Sequence, residues 1–547
     1  MTSVTEFATS SLPDAVLDQG YVGQINGALG TIRHGDIAPR KGWVAKLRTL
    51  LAILGPGVIV MVGDNDAGAF GTYAQAGQDY GTALLWTLAF LIPVLYVNQE
   101  MVLRLGAVSG VGHARLILER FGKFWGAFSV IDLFLLNALT IVTEFIGISL
   151  ALGYLGVSKP LGVIVAAALV MAAASTGSFR RFERFSLVLV FGSLLLVPVF
   201  LAVHPPVNQM AADFFVPKLP DQGRLSEVML LIIAIVGTTV APWQLFFQQS
   251  YVIDKHITPR FIQYERTDLW IGILLVITGA VAIVAIAAAT FAGHPEFGQF
   301  SDAGAVASGL EKYVGSVPAV LFALALLDAC IIGAAALSLS TAYAIGDVLD
   351  LRHSLHRKPT EAKAFYAVYC GLIALAAALV LSPGTPLGLL TNAVQTLAGL
   401  LLPSATVFLL LLCNDGAVLG PWVNGRWLNL FTGAVIAVLV ILSVVLTASV
   451  LYPEIRGETI IAVLVSGGLA ALVIYLTFGG IRPSVEAAVE RHGRPLRNTW
   501  RMPPLAELPL RQLTTLNRVW LFVLRAYLIV AAGLVLLRIF TLATGGT

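Results

Sequence analysis

Long apolar runs separated by short polar segments make up the chain from Leu50 onward. About 20 consecutive apolar residues are enough for a helix to cross the ~30 Å hydrocarbon core of a bilayer. The pattern therefore predicts an all-α polytopic membrane protein with twelve transmembrane helices and a thirteenth candidate near the C-terminus. Beyond an interrupted first span, the predicted helices cover 84–105, 124–155, 161–174, 185–203, 228–251, 269–292, 317–348, 365–381, 387–413, 427–452, 459–478 and, as the thirteenth candidate, 520–540.

Lysine and arginine are concentrated in alternate loops, after the second, fourth, sixth and eighth predicted helices. Cytoplasmic loops carry such an excess, so the pattern predicts an integral plasma-membrane protein with a cytoplasmic N-terminus. The first 46 residues are polar and rich in Gly, Ser and Thr, and we expect a loosely ordered tail there. The predicted regions are a cytoplasmic N-terminal tail at 1–48, a ten-helix core at 49–413, two further transmembrane helices at 427–478, a basic cytoplasmic linker at 479–518 and a candidate extra transmembrane helix at 519–547.

Acidic residues interrupt the first apolar span at the depth of the bilayer centre. The apolar run 50–62 leads directly into Gly63, Asp64, Asn65 and Asp66. A charged residue at the centre of a span costs on the order of 3 kcal/mol on insertion scales, and such residues usually face a cavity, a partner or a transported ion. The interruption therefore predicts a permeation site within the membrane.

The sixth predicted helix is interrupted in the same manner, by a Gly-Thr-Thr segment followed by Pro242. Proline removes a helix hydrogen bond and frees nearby carbonyl groups. Four complete crossings separate the two broken spans, so two five-helix halves would enter the membrane from opposite sides. Inverted-repeat transporters have this arrangement and bind substrate between two unwound helices. We therefore expect residues 64–66 to face Thr238 and Ala241.

Carboxylates, a side-chain amide, backbone carbonyls and water would form an all-oxygen ligand set at this site. Such ligands suit hard divalent cations such as Mg²⁺, Mn²⁺ or Ca²⁺, and the predicted metal-site residues are Asp66, Asp64, Asn65, Thr238 and Ala241. The alternative is that the two aspartates only cap the helix after the break and accept hydrogen bonds from its free amides. Capping and ion binding are compatible, so both interpretations remain open.

The composition favours a membrane transporter over other classes of protein. Hydrophobic residues make up 57% of the 547-residue chain and charged residues 12%, which is typical of a polytopic membrane protein. With a net charge of +3 and no long basic run, nucleic acid is not an expected partner. The expected partners are a small inorganic cation as substrate and the lipid bilayer, and no cofactor is expected. The HExxH and GxSxG motifs are absent, which disfavours a membrane-embedded enzyme, and the acidic first break argues against an amino-acid carrier.

The segment 55–86 resembles the first-helix region of the natural resistance-associated macrophage protein (Nramp) divalent-metal transporters. The family's Asp-Pro-Gly-Asn motif falls on 66–69, where Asp66 matches and Ala69 replaces the asparagine, and its Gln-Ala-Gly falls on 75–77. In the sixth span, the family's Ala-Thr-Val-Met-Pro-His falls on 238–243. The resemblance covers 50–413 and implies a leucine-transporter-like inverted five-helix repeat with broken helices 1 and 6. Its other matching stretches are TEFIG at 143–147, GAAALSLSTAYA at 333–344 and QTLAGLLLPSA at 395–405.

The departures from the family pattern concern the substrate. The metal-binding methionine of the family falls on Ala241. A thioether is a soft ligand that favours Mn²⁺, Fe²⁺ and Cd²⁺, so its loss removes a means of rejecting magnesium and leaves room for an ion that keeps several waters. This pattern resembles the Nramp-related magnesium transporter branch, in which an alanine replaces the methionine. The alternative is that Ala241 is one small residue in a helix-packing seam.

Most residues of the family's proton route are replaced. Its aspartate on the third helix falls on Ile141 and its histidine after the sixth-span proline on Trp243, whereas Glu144 is retained. A lone intramembrane glutamate either relays a proton or pairs with a polar neighbour. Gln395 matches a family glutamine that approaches the metal in closed states, with an interhelical hydrogen bond as the alternative. The sequence thus predicts a transporter of Mg²⁺ and/or Mn²⁺ that works by alternating access with weak or no proton coupling; the alternative is a proton-coupled Mn²⁺/Fe²⁺ importer.

Overall fold

The computed structural model describes residues 21–220, 223–382, 394, 403–451, 456–478 and 497–509, together with isolated positions after residue 520. The predictions for 1–20, for most of the linker at 479–518, for the candidate helix at 519–547 and for Gln395 lie outside the described residues. The helices are α1 Trp43–Ile53, α2 Pro56–Val62, α3 Ala67–Tyr80, α4 Leu85–Ser109, α5 His113–Phe121, α6 Lys123–Tyr154, α7 Lys159–Ala174, α8 Phe179–Gly192, α9 Leu196–Val203, α10 Val207–Phe215, α11 Leu225–Thr239, α12 Pro242–Asp254, α13 Ile262–Phe291, α14 Ala303–Tyr313, α15 Ser316–Val348, α16 Lys363–Leu381, α17 Pro403–Cys413, α18 Gly416–Leu419, α19 Arg426–Leu451 and α20 Gly457–Phe478.

The membrane-spanning helices occur where the hydropathy pattern predicts them. Eight described helices are long and apolar enough to cross a bilayer, two bent helix pairs qualify jointly, and α7 and part of α20 are shorter apolar helices. Together they account for the predicted spans within the described residues, which include only residues 394 and 403–413 of the tenth span predicted at 387–413. In chain order, α1 to α3 form span 1, α4 span 2, α6 span 3, α7 span 4, α8 and α9 span 5, α11 and α12 span 6, α13 span 7, α15 span 8, α16 span 9, α17 span 10, α19 span 11 and α20 span 12.

Spans 1 and 6 are both broken and occupy equivalent positions in the two halves of the fold. Span 1 bends by 52° between α1 and α2 and leaves the helical conformation again between Val62 and Ala67. Span 6 is interrupted between Thr239 and Pro242. A proline at the first position of a helix lacks an amide that would have no partner there anyway, which explains why α12 begins at Pro242. Spans 1–5 and 6–10 therefore form the predicted inverted five-helix repeat.

Span 1 packs closely on span 7 because both carry glycine at the contact. A Cβ atom on Gly57 would lie 2.7 Å from the backbone of Leu269, and one on Gly272 would lie 2.6 Å from the carbonyl oxygen of Gly57. Real Cβ atoms do not approach other atoms this closely. Small residues let transmembrane helices come into backbone contact, so these two glycines position α2, and with it the first break, against α13.

Part of the predicted N-terminal tail is folded, so the expectation of loose order is wrong for this part. Residues Ile25–Gly27 and Gly30–Ile32 form an antiparallel β-hairpin, β1 and β2, and α1 begins at Trp43, ahead of the predicted boundary. Side chains at the start of α8 bind the hairpin backbone. Arg180 donates to the Gly27 carbonyl at 3.0 Å, and Arg184 donates to the Ala28 carbonyl at 3.1 Å. The paired residues Ile25 and Ile32 are buried in the hydrophobic core, so apolar packing and the arginine bonds together hold the hairpin in place.

The described part of the predicted linker, residues 497–509, lies against the same side of the helix bundle. The Arg497 guanidinium stands 4.2 Å from the centre of the Trp422 ring, and the indole nitrogen of Trp422 donates to the Arg497 carbonyl at 2.8 Å. The amide of Met502 donates to the Val108 carbonyl at the end of α4. The segment therefore docks on span 2 and on the turn that follows α18.

Candidate metal-ion site

Asp66 lies at the N-terminus of α3, the helix that follows the break in span 1. Its carboxylate accepts a hydrogen bond of 3.0 Å from the amide of Ala69 and caps the helix. The side chain is buried, with 6% of the residue exposed. The N-terminus of a helix carries a partial positive charge that favours a carboxylate. Capping is therefore one role of Asp66, and it leaves carboxylate lone pairs available for a cation.

The break in span 6 is a short extended segment made of Val240 and Ala241. Carbonyl groups at the end of α11 lack helical partners because the last turn of any helix leaves its acceptors open. No side chain caps α12 at Ala241, and Thr238 and Ala241 are both buried. The break thus has open backbone oxygen atoms next to Ala241, whose side chain is only a methyl group.

Two hydrogen bonds join the breaks in spans 1 and 6. The side-chain amide of Gln244, in the first turn of α12, donates to Oδ1 of Asp64. The hydroxyl groups of Tyr73 on α3 and Thr239 at the end of α11 lie 2.7 Å apart. These bonds cross between the two halves of the repeat, so the two broken segments lie next to each other.

Asp64 is fully buried and keeps one carboxylate oxygen free. Within the described residues, Oδ2 of Asp64 has no hydrogen-bond partner. Behind Gln244 lies Gln99 of span 2, whose amide donates to the Gln244 carbonyl oxygen at 2.9 Å. A buried carboxylate oxygen without a partner is costly unless a cation or a proton occupies it. Gln244 and Gln99 therefore fix the orientation of Asp64, and its second carboxylate oxygen is open to a cation or a proton.

Asn65 is held by span 7, a contact that the sequence did not predict. Its amide nitrogen donates to the Val276 carbonyl of span 7 at 3.1 Å. A Cβ atom on Gly279 would lie 2.5 Å from the same nitrogen, so the glycine makes room for the asparagine. The non-helical backbone of residues 63–66 turns successive side chains in directions that no regular period predicts. Asn65 thus anchors the break to span 7, and its Oδ1 atom has no partner among the described residues.

Glu144 of span 3 reaches the same place as Asp66. One carboxylate oxygen accepts from the amide of Ala67 at 3.1 Å, and the other has no partner in the described part of the chain. A Cβ atom on Gly333 of span 8 would lie 3.0 Å from the Glu144 carboxyl group and 3.1 Å from the Asp66 Cβ. The glycine therefore makes room for two carboxylates side by side.

The remaining predicted residues can be placed as follows. Trp243, at the position of the family histidine, is buried, and its carbonyl accepts from the Ser340 hydroxyl of span 8 at 3.0 Å. Gln395 lies outside the described residues. Among the residues that are described, no three His, Cys, Asp or Glu side chains form a group that could hold a metal ion. An ion between the two breaks would take amide oxygens, backbone carbonyls or water as additional ligands.

Sequence reasoning missed Gln99 and Gln244. A signal for the second was present, because Gln244 and Gln248 are four residues apart and so share one face of α12, directly after the break. Glutamines on an apolar helix must find partners inside the protein. That face was therefore a candidate to meet the carboxylates of span 1.

The family comparison agrees with this architecture. The profile described as "Natural resistance-associated macrophage protein-like" matches residues 57–449. The fold is similar to the crystal structure of the Eremococcus coleocola manganese transporter in complex with an aromatic bis-isothiourea substituted compound. The two chains are 20% identical and superpose with a TM-score of 0.62, over 87% of this chain and 100% of the other. At this level of identity, the similarity shows the fold.

Two bacterial relatives are similar along most of their length. The divalent metal cation transporter MntH of Ralstonia nicotianae is 30% identical over 397 residues, which cover 69% of this chain and 86% of the relative. The divalent metal cation transporter MntH 1 of Pseudomonas aeruginosa is 30% identical over 408 residues, which cover 70% and 88%. From the profile match, these relatives and the two facing breaks in spans 1 and 6, we conclude that this chain belongs to the Nramp family.

Proposed function

We propose that this protein moves divalent metal ions, Mg²⁺ and/or Mn²⁺, across the membrane by alternating access between its two five-helix halves. The observation that carries the proposal is the pair of buried carboxylates in the span 1 break, one of which has a free oxygen and is bonded to span 6. Inverted-repeat transporters bind substrate at such a place. The names of the relatives, divalent metal cation transporters rather than enzymes, support the same class.

The proposed ligands come from both breaks. Asp66 and Asp64 supply the charge, and Thr238 and Ala241 supply backbone oxygens. Asn65 and Gln395 are further candidates. Ala241 supports magnesium as a substrate, because no soft thioether is present to favour transition metals and the small side chain leaves space for a partly hydrated ion. The ion is substrate here, and no cofactor is proposed.

The position of Glu144 is the observation that supports a second candidate function, proton-coupled import of Mn²⁺ or Fe²⁺. Its carboxylate adjoins Asp66 and keeps one oxygen free, so it is available to take a proton when the metal arrives. The residues Ile141 and Trp243 stand where the family has titratable groups. We therefore favour weak or no coupling, and the two functions are separated by measuring proton and metal flux together.

In proteoliposomes that hold a pH-sensitive dye, we expect Mg²⁺ and Mn²⁺ to enter without proportional acidification of the lumen. The reason is that a single retained carboxyl group does not form a continuous proton route. The Glu144→Gln variant should retain most of the metal flux. Acidification that rises in step with metal uptake in the parent, and that disappears in Glu144→Gln, would instead establish the proton-coupled importer.

Gln244→Ala is expected to raise the KM for metal by about tenfold, because partners that orient a ligand commonly contribute 10- to 100-fold to metal affinity. The carboxylate of Asp64 would lose its donor and its fixed direction. Gln248→Ala is the matched control on the same helix, since neither polar atom of the Gln248 side chain has a described partner. Equal KM values for the two variants and the parent would exclude an orienting role for Gln244.

A further inference from the structure

A second group of buried charges lies away from the metal site, at the bend between α1 and α2. Glu183 of α8, Lys255 just beyond α12, and Glu265 and Asp268 of α13 each have 0% exposure. We call these four residues the charge cluster. The hairpin touches it, because the amide of Ala28 donates to Glu183. The cluster therefore lies on the side of the membrane where the hairpin is found, which is the predicted cytoplasmic side.

The cluster binds the backbone on both sides of the bend. The Lys255 ammonium lies 2.5 Å from a Glu183 carboxylate oxygen and donates to the carbonyls of Ile53 and Leu54, at 2.5 and 3.0 Å. The Asp268 carboxylate accepts from the amides of Gly55 and Gly57, at 3.1 and 2.6 Å. Carbonyls at the end of α1 and amides at the start of α2 would otherwise lack partners, so the cluster holds span 1 in its bent position.

Glu265 is the member without a hydrogen bond. Neither of its carboxylate oxygens has a partner among the described residues, whereas Glu183 has an ammonium group and Asp268 has two amides. With all four groups ionised, the cluster would contain three negative charges and one positive charge. Two uncompensated carboxylates in a buried site would cost several kcal/mol each. Glu265 and Asp268 are also three residues apart on one helix face, where like charges repel. One proton on Glu265 neutralises the carboxylate that has no hydrogen bond and leaves Asp268 with its two amide donors.

A metal ion is a poor occupant of this place. The Lys255 ammonium already sits among the carboxylates and would repel a second cation. No group of three acidic, His or Cys side chains in the described chain is arranged to hold a metal. A proton needs neither a coordination shell nor the displacement of Lys255.

We propose that Glu265 is a proton-binding site that keeps the cytoplasmic end of span 1 closed and gives its proton to the cytoplasm when that end opens. Opening would break the bonds from Lys255 and Asp268 to the bend and admit water to the cluster. In water a carboxyl group ionises near its ordinary value, so the open form binds one proton fewer. The inference rests on the proposed transport function in one respect: alternating access is the motion that opens the cytoplasmic end of span 1.

The direction of the pH effect follows from the proton count. The closed form holds one proton more than the open form, so raising the cytoplasmic pH favours opening, by at most about tenfold per pH unit for a single proton. The proton leaves and returns on one side of the membrane. Such a site makes opening pH-sensitive without carrying protons across, which is compatible with weak coupling of transport.

The two arginines around Glu265, Arg266 and Arg180, already have partners. Arg266, its neighbour on α13, pairs with Glu100 of span 2 at 2.6 Å. From span 5, Arg180 interacts electrostatically with Glu183 and donates to the Gly27 carbonyl of the hairpin. From span 6, the buried Tyr251 hydroxyl has no hydrogen-bond partner among the described residues and interacts electrostatically with Glu183 and Asp268. The charged groups that face Glu265 itself are Asp268, Lys255 and Glu183. Among these, Glu265 is the group whose ionisation no described partner supports.

The test measures the distance between the start of span 1 and the end of span 8 in the full-length protein. Spin labels on Trp43→Cys and Leu349→Cys occupy exposed positions, and pulsed electron paramagnetic resonance in lipid nanodiscs gives the distance distribution from about pH 5 to about pH 9. In the parent, the ratio of long to short distances should rise with pH. Glu265→Gln, which mimics the protonated form, should keep the short distance at every pH, and Glu265→Asp should retain the pH response.

Glu458→Gln is the matched control, because Glu458 is exposed in the first turn of α20, and it should follow the parent. A parent distribution that does not change with pH, or a Glu265→Gln response equal to that of the parent, overturns the proposal. The readout needs no metal flux. A pH response in a protein that moves no metal would contradict the transport function alone, whereas metal transport without a pH response would contradict the proton site alone.

Discussion

Replacing Asp66 with asparagine is expected to lower the uptake of Mg²⁺ and Mn²⁺ by at least about 100-fold, since even partners that only orient a metal ligand contribute 10- to 100-fold. A divalent cation that leaves water for a buried site needs negative charge close by, and hard cations take it from carboxylates. Asparagine removes this charge but keeps an oxygen acceptor that caps helices as well as aspartate does. The measurement is initial uptake of each ion into proteoliposomes, with protein content and orientation matched to the parent.

Asp302→Asn is the control that separates ion binding from capping. Asp302 is the N-cap residue of α14 and accepts from the amide of Ala305 at 2.9 Å, so it has the same geometry as Asp66 at a helix outside the site. We expect this variant to transport at the parent rate. If Asp66→Asn also transports at the parent rate, Asp66 acts only as a cap, and the proposed ion site loses its main ligand.

The breaks in spans 1 and 6 could be predicted because their signals are local. In a bilayer, every backbone amide and carbonyl needs a partner within the protein, so a proline such as Pro242, or a polar run such as residues 63–66, marks the place where a helix stops. Helix length and hydropathy placed the spans for the same reason. These arguments depend on neighbours in the sequence and not on the arrangement of distant segments.

The partners across the breaks could not be predicted in the same way. Asp64 and Gln244 are 180 positions apart, and nothing local indicates that they meet. Residues 64–66 were expected to face span 6 because both spans are broken, but successive side chains of a non-helical segment diverge. The hydrogen bond from Asn65 to Val276 shows where the packing of span 1 on span 7 directs it.

The N-terminal hairpin shows a different limit of sequence reasoning. The arginines after span 4 were interpreted as markers of the cytoplasmic side. In the structure, Arg180 and Arg184 also bind backbone carbonyls of the hairpin. A largely polar segment can thus be ordered by side chains from elsewhere in the chain together with a few apolar residues of its own, here Ile25 and Ile32.

Ala241→Met is expected to lower Mg²⁺ uptake by about tenfold while Mn²⁺ uptake is retained, a discrimination of the size that one altered contact commonly supplies. The thioether would face the ion from the span 6 break, where the alanine methyl group now lies. The sulfur atom would take the place of a water molecule on the ion. Mg²⁺ gives up its water reluctantly, whereas Mn²⁺ accepts a sulfur ligand more readily. Competition between the two ions in one uptake assay measures the ratio directly.

Ala241→Leu separates ligand chemistry from volume, because leucine has a similar size to methionine but no sulfur. Ala241 is buried, with 8% exposure, so a larger side chain must displace its neighbours or fill space in the site. If the softness of the ligand decides selectivity, Ala241→Leu should reduce the uptake of both ions, whereas Ala241→Met should reduce only the uptake of Mg²⁺. If the two variants reduce Mg²⁺ and Mn²⁺ to the same extent, Ala241 sets the width of the site, and the preference for an ion must arise from the carboxylates of span 1.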